Sequence, residues 1–293
     1  MEIRTYPIDI RKSKTFTLLP FSCLHWGNPA CHLDLFKEFC LGSHNPYTYT
    51  VGLGDYIEFS RTTYRQAVGR VHTGENSHEG LDRMVVKHLE EGSAILRLLN
   101  INKCLGLIEG NHRWDFLSNI KELGIYPSLS STEWFSKALN IPYLGHTALI
   151  NLDIRVTDSI RDSYVLFLNH GHGFSGGRSA GDDLNYIERK IESAFQADAY
   201  ITAHTHRILA YNLPTLKPSF SNNILKEDSK LIVKAGSFYK GYLPSEYTTT
   251  YAEKKLYRPL NLGWCPIRLS YTKNNNNVWE RQVETSLSSF TTL

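Results

Sequence analysis

Thr15-Phe16-Thr17-Leu18-Leu19-Pro20-Phe21-Ser22 leads directly into Cys23-Leu24-His25-Trp26-Gly27. The first eight residues are apolar and rich in strand formers, and the next five make a turn that carries a thiol and an imidazole. The stretch reads as a buried strand that ends by delivering reactive groups to a loop. Downstream, residues 33–41 place Leu33, Phe36, Phe39 and Cys40 at helical spacing, and residues 47–53 are a second strand that stops at Gly54-Asp55. Strand, helix, strand is the opening of an α/β fold.

The alternation continues along the chain. Residues 82–99 form an amphipathic helix with Met84, Val85, His88, Leu89, Ile95, Leu96 and Leu99 on its apolar face, and 103–108 are a short strand that delivers Glu109-Gly110-Asn111-His112. Ser131 or Thr132 is the expected cap of a helix reaching about residue 139. Strands at 143–157 and 163–168 follow, the second ending at Asn169-His170-Gly171-His172. Asp182 or Asp183 then caps a helix to about 197, and the strand 199–202 leads into His204-Thr205-His206. The remainder is β-rich, with strands at 208–213, 231–237, 266–271 and 278–285 and a hairpin tip at 274–277. Loose insertions are expected near 60–80, 214–230 and 240–264, within a single domain spanning 1–293.

Bulk properties exclude more than they assign. The 32 basic and 29 acidic side chains leave a formal charge of +3, which supplies no electrostatic footprint for nucleic acid. No run of 18 apolar residues and no leader pattern is visible, so no membrane partner is expected. Five cysteines, an odd number without a C-x-x-C pair, suit reduced thiols in a cytoplasmic protein better than a disulfide framework.

The histidines are more informative. His25, Asp55, Asn111, His170, His204 and His206 each fall just beyond a predicted strand, where the loops of an α/β sheet converge on a shared crevice. Isolated histidines such as His32, His44, His88 and His146 are read as packed residues. Tyr239, Tyr242, Tyr247, Tyr251 and Tyr257 are read as covering a core edge rather than stacking bases.

The motifs Cys23-Leu24-His25, Gly54-Asp55-Tyr56-Ile57-Glu58, Gly110-Asn111-His112-Arg113, His170-Gly171 and Ala203-His204-Thr205-His206 are followed by Gly236-Ser237-Phe238. In this order, over residues 15–241, the chain resembles the calcineurin-like metallophosphoesterases, whose pattern is D-x-H, G-D-x-x-[DE], G-N-H-[DE], a strand-end His, G-H-x-H and G-S. The resemblance implies a four-layer α/β/β/α sandwich of two mixed sheets flanked by helices. It also implies two divalent metal ions, zinc, manganese or iron, with His25 and His206 on one, Asn111, His170 and His204 on the other, and Asp55 bridging. A hydroxide held between the ions would attack a phosphate ester, His112 would protonate the leaving oxygen or stabilise charge, and Glu58 would orient His112.

Two departures bear on this expectation. Cys23 stands where the family has an aspartate, which makes the site zinc- or iron-biased, or weakens the first metal, or marks lost activity. Arg113 replaces an acidic residue and offers a phosphate contact. His170 is favoured over His172 as the ligand, leaving His172 beside the ligands or the substrate, and the Gly176-Gly177-Arg178 loop could bring Arg178 to a phosphate. The expected partner is a phosphate-ester substrate. A phosphodiester, as in a nucleotide or nucleic acid, is favoured by resemblance to the nuclease branch and by Arg61, Arg65 and Arg70. The alternatives are a phosphomonoesterase, or a metal-binding interaction protein in which Cys23 marks lost turnover.

Overall fold

The computed structural model describes residues 1–59, 76–171, 180–220, 223–243, 250–259, 261–275, 277–286 and 288–290. In chain order the elements are β1 Glu2–Asp9, β2 Thr15–Phe21, α1 Leu33–Ser43, β3 Thr48–Gly52, α2 Asn76–Leu96, β4 Cys104–Leu107, α3 Ser131–Leu139, β5 Thr147–Arg155 and β6 Arg161–Asn169. They continue with α4 Ala180–Tyr186, which passes into a π turn over Ile187–Glu192, then β7 Ala199–Thr202, β8 Ile208–Ser219 and β9 Ile224–Ser237. Last come α5 Tyr251–Lys254, β10 Leu262–Trp264, β11 Ile267–Lys273, β12 Trp279–Thr285 and β13 Ser288–Phe290.

The strands form two mixed sheets. One has the order β1-β5-β6-β7-β9-β10-β13, with β8 paired to β9, and the other has the order β12-β11-β2-β3-β4. Phe16 and Leu18 of β2 face the core between the sheets with Val51, Ile150, Leu166 and Val233, while Leu19 and Phe21 face α1, α2 and α3 with Phe36, Phe39, Leu89 and Phe135. A strand covered on both faces needs apolar residues at every position, which is why 15–22 is nearly unbroken. On the far face of the other sheet, Phe167, Tyr200 and Ile232 pack against Ile187 and Ile191 of the π turn. Helices, sheet, sheet, helix: the four expected layers are present.

Strand direction positions the reactive residues. β2, β3 and β4 run parallel in one sheet, and β6, β7 and β9 run parallel in the other. Their carboxyl ends meet across the sandwich, where Phe238 N donates to Cys23 O at 3.2 Å. Among the described residues, no helix is long and apolar enough to cross a membrane.

Several elements differ from the sequence reading. β1 is an unanticipated parallel partner of β5, and its half-polar alternation with Pro7 suits an edge strand. Where a loose insertion is expected at 214–230, β8 and β9 continue as an antiparallel ribbon from Ile208↔Ala235 to Ser219↔Ile224. Pro214 and Pro218 argue against a strand in the sequence, yet among the described residues β8 pairs only with β9, and proline is tolerated in a strand with a free edge. The 240–264 segment holds α5 and β10, and α2 begins at Asn76, inside the expected 60–80 excursion. Ser130, not Ser131 or Thr132, caps α3 by accepting from Glu133 N at 3.0 Å. Asp182 and Asp183 lie inside α4 rather than capping it.

Candidate metal centre

Five residues at the converging strand ends, Cys23, His25, Asp55, His204 and His206, have φ between +48° and +69°. Side chains other than glycine and, to a lesser degree, asparagine or aspartate enter this left-handed region only when surrounding structure holds them there, and such outliers gather at functional sites. Here the holding contacts are backbone bonds between strand ends: Cys23 N to Gly54 O, His25 N to Asp55 O, and Ala203 N to His170 O. Gly54 and Gly110 press together so closely that a Cβ on Gly110 would stand 2.2 Å from Asp55 Oδ1. Ala203, just before His204-Thr205-His206, is not among the residues of positive φ, so its methyl group is tolerated.

The side chains fall into two groups around the Asp55 carboxylate, itself 3% exposed. In the first, His25 Nδ1 is bonded to Glu58 Oε2 at 2.7 Å, so its Nε2 lone pair faces His206 Nε2 at 3.3 Å and Asp55 Oδ2 at 3.8 Å. In the second, His170 Nδ1 is bonded to the Leu53 carbonyl, and its Nε2 faces Asn111 Oδ1 at 2.8 Å, Asp55 Oδ2 at 3.0 Å and His204 Nδ1 at 3.3 Å. His204 Nδ1 also lies 2.8 Å from Asn111 Oδ1. The outer nitrogens of His25 and His170 are committed as donors, so their neutral rings turn Nε2 lone pairs towards the oxygens of Asp55 and Asn111, an arrangement that a cation or a shared proton between them makes favourable.

Geometry and protonation both fit a metal. Tetrahedral bonds of about 2.0–2.1 Å to nitrogen imply an edge of roughly 3.3–3.4 Å between ligand atoms, which matches the imidazole separations. Burial, reinforced by the neighbouring His170, pushes His204 down to about 4, and burial with His25 holds His206 well below its usual value. Both rings are therefore neutral, as ligands must be. Burial works against the Asp55 charge, but His170 and His25 override it and keep the carboxylate ionised. The ligand atoms of Cys23, His25 and His206 lie within 4.8 Å of one another, as do those of Cys23, Asp55 and His170, so the thiol faces both groups.

Glu58 does more than the sequence suggests. Its Oε1 takes His112 Nδ1 at 2.9 Å while its Oε2 takes His25, so one carboxylate orients both rings. Burial opposes ionisation of Glu58, yet these two hydrogen bonds hold its carboxyl down at about 2. Arg113 lies at the same strand end, where its Nε bonds Asp115 at 2.9 Å and pairs with Glu109 at 3.6 Å. His172, Arg178, Arg61, Arg65 and Arg70 lie outside the described residues.

No protein-family model and no curated protein matches the chain. Among solved structures it is similar to Vps29 of Chaetomium thermophilum, at 13% identity over 94% of this chain and 97% of that one, with a TM-score of 0.37. It is similar also to a conserved uncharacterised protein of Streptococcus pneumoniae described as a predicted phosphoesterase, at 8% identity over 92% and 98% of the two chains, with a TM-score of 0.31. A third is NAD nucleotidase of Haemophilus influenzae, at 12% identity and a TM-score of 0.36, where 92% of this chain spans 53% of that protein.

Sequence reasoning overlooked some of the surroundings. Tyr239, assigned to a core edge, packs its ring 4.9 Å from that of His25 and 5.3 Å from that of His206. Its place just after Gly236-Ser237-Phe238 is the signal that would have found it. Lys234 is buried within β9, and a lone lysine in the run Leu231-Ile232-Val233 is a cue that a charge partner waits beneath the sheet. The isolated histidines have structural partners: His32 caps α1, His44 bonds the Leu98 carbonyl, and His88 packs on Trp26.

Proposed function

We propose that the chain is a metal-dependent phosphoesterase that hydrolyses a phosphate ester, a diester ahead of a monoester. The observation that carries this reading is the approach of His25 Nε2 and His170 Nε2 to the single carboxylate of Asp55, with His206 beside the first ring and Asn111 and His204 beside the second. Two divalent cations, when bound there, would neutralise phosphoryl charge and lower the pKa of a water that they share. Asp55, which stands near both His25 and His170, would be the ligand shared by the two ions, and Cys23 would add a soft donor that favours zinc or iron over manganese.

The chain's own residues supply the remaining steps. Glu58 accepts from His112 Nδ1, which fixes the ring and directs Nε2 to the leaving oxygen as its proton donor. The same carboxylate accepts from His25 Nδ1, so ligand and proton donor are held at a fixed separation, with ring centroids 4.8 Å apart.

Purified protein loaded in turn with zinc, manganese and iron, and offered bis-p-nitrophenyl phosphate, p-nitrophenyl phosphate and a labelled oligonucleotide, tests the reading. Turnover is expected with about two metals bound, and His112→Asn should lower it by roughly 10²- to 10⁴-fold while the metals stay. Two bound metals with no turnover on any substrate would favour the interaction-protein reading. Metal loss in His112→Asn would show that His112 is a ligand and not the proton donor.

A further inference from the structure

Beneath the turn 203–207 lies a buried charge cluster whose members stand outside the proposed ligand set. Asp183 of α4 is 2% exposed, Lys234 of β9 is 4% exposed, and Lys234 Nζ stands 3.5 Å from Asp183 Oδ1. Lys234 Nζ also donates to the carbonyl of Ala203 at 2.5 Å. Asp183 Oδ2 accepts the Thr205 hydroxyl at 3.3 Å and pairs with Arg207 Nε at 3.3 Å. Residues 203, 205 and 207 therefore engage the cluster, while the alternate residues His204 and His206 present their rings to the metal centre.

That alternation has a conformational counterpart. His204 and His206 hold φ of +69° and +58°, which a turn of ordinary residues does not keep unless it is fixed from outside. Charged groups this deeply buried persist only when paired, and replacement of one partner leaves the other uncompensated. Burial works against the Lys234 charge, and Asp183 is the first group that opposes this loss. The helix that brings Asp183 and the strand that brings Lys234 are separate elements, so the turn is clamped between two layers.

We propose that Asp183 and Lys234 are positioning residues: a buried ion pair that locks the 203–207 turn so that His204 meets one metal and His206 the other. This inference rests on the metal-centre reading and goes beyond it, since neither residue is a ligand. Removal of the clamp should weaken both halves of the centre together, whereas loss of a single ligand weakens chiefly its own half.

The test uses the full chain, cobalt titration against a chromophoric chelator well below the melting temperature, and the visible spectrum of the cobalt-loaded protein, which reads coordination geometry. Wild type should bind about two cobalt ions, and Asp183→Asn and Thr205→Val should each weaken both by about ten- to a hundredfold and shift the d–d bands. Thr205→Ser, which keeps the hydroxyl, should restore affinity and spectrum. A purely structural cluster would lower melting temperature and leave affinity and spectrum unchanged, and that result in a folded Asp183→Asn or Thr205→Val protein overturns the inference. If Asp183→Asn does not fold, Thr205→Val against Thr205→Ser decides, because neither disturbs the buried charges. Failure of the wild type to bind cobalt would instead overturn the metal-centre reading, and the inference with it.

Discussion

Cys23 is the residue at which the proposed chemistry is most exposed to test. Its side chain is fully buried, and burial together with Asp55 pushes the thiol up to about 12, so without a cation it stays protonated. Its Sγ shares a hydrogen bond with Ser22 Oγ at 3.2 Å. If Sγ ligates, Cys23→Asp should move metal preference from zinc towards manganese, and Cys23→Ala should weaken one site about tenfold or more, both read as metal content after dialysis. Unchanged content in both variants would remove Cys23 from the ligand set. Residue types in this region were legible in the sequence, because histidine and carboxylate at successive strand ends are a chemical pattern. The left-handed backbone of Cys23, His25, Asp55, His204 and His206 was not, since it is imposed by contacts between strand ends far apart in sequence.

Elements behave according to how many of their faces are covered. β2, β3 and β7, largely buried on both faces, are built of apolar and β-branched residues, and their bounds in the sequence agree with the structure to within a residue or two. β1 and the outer parts of β8 and β9 have one paired edge or one wet face, so their polar and proline content looked like loop. α3 was read with the wrong cap because Ser130, Ser131 and Thr132 are equivalent as a string. What separates them is tertiary: Ser130 Oγ also donates to Glu109 Oε2 at 2.9 Å, tying the helix start to the strand end that presents Asn111. Glu109 is 2% exposed, and burial raises its pKa. Ser130→Ala should therefore cost more than a surface cap, roughly 2–4 kcal/mol for the lost cap and the shortened set of bonds to a buried carboxyl. Urea unfolding measures it; a loss under about 0.5 kcal/mol would mean that neither bond contributes.

At the scale of the whole molecule, each half of the centre draws on both sheets. His25, Asp55 and Asn111 follow β2, β3 and β4, whereas His170, His204 and His206 follow β6 and β7. A cation there would bridge the two sheets, so its removal exposes what the bare imidazoles cost. Burial holds His204 down at about 4 and His206 well below its usual value, against 6.5 for an unburied histidine. Below 6.5 the unfolded chain takes up protons that the folded chain refuses, so the stability of metal-stripped protein is full above that value and declines as pH falls towards 4. Glu58 acts in a lower window: held near 2 against 4.5, it contributes stability above 4.5 and loses it only as pH falls from there towards 2. Between pH 7 and 5 Glu58 is thus silent, and because burial also lowers His32, His88 and His146, the His204 variant separates the site's share of the fall. The melting temperature of protein stripped with chelator should fall across that interval, and His204→Gln should flatten the fall. A flat profile in the stripped wild type would mean that these rings take up protons as readily folded as unfolded, and so are not the neutral, desolvated ligands that the centre requires.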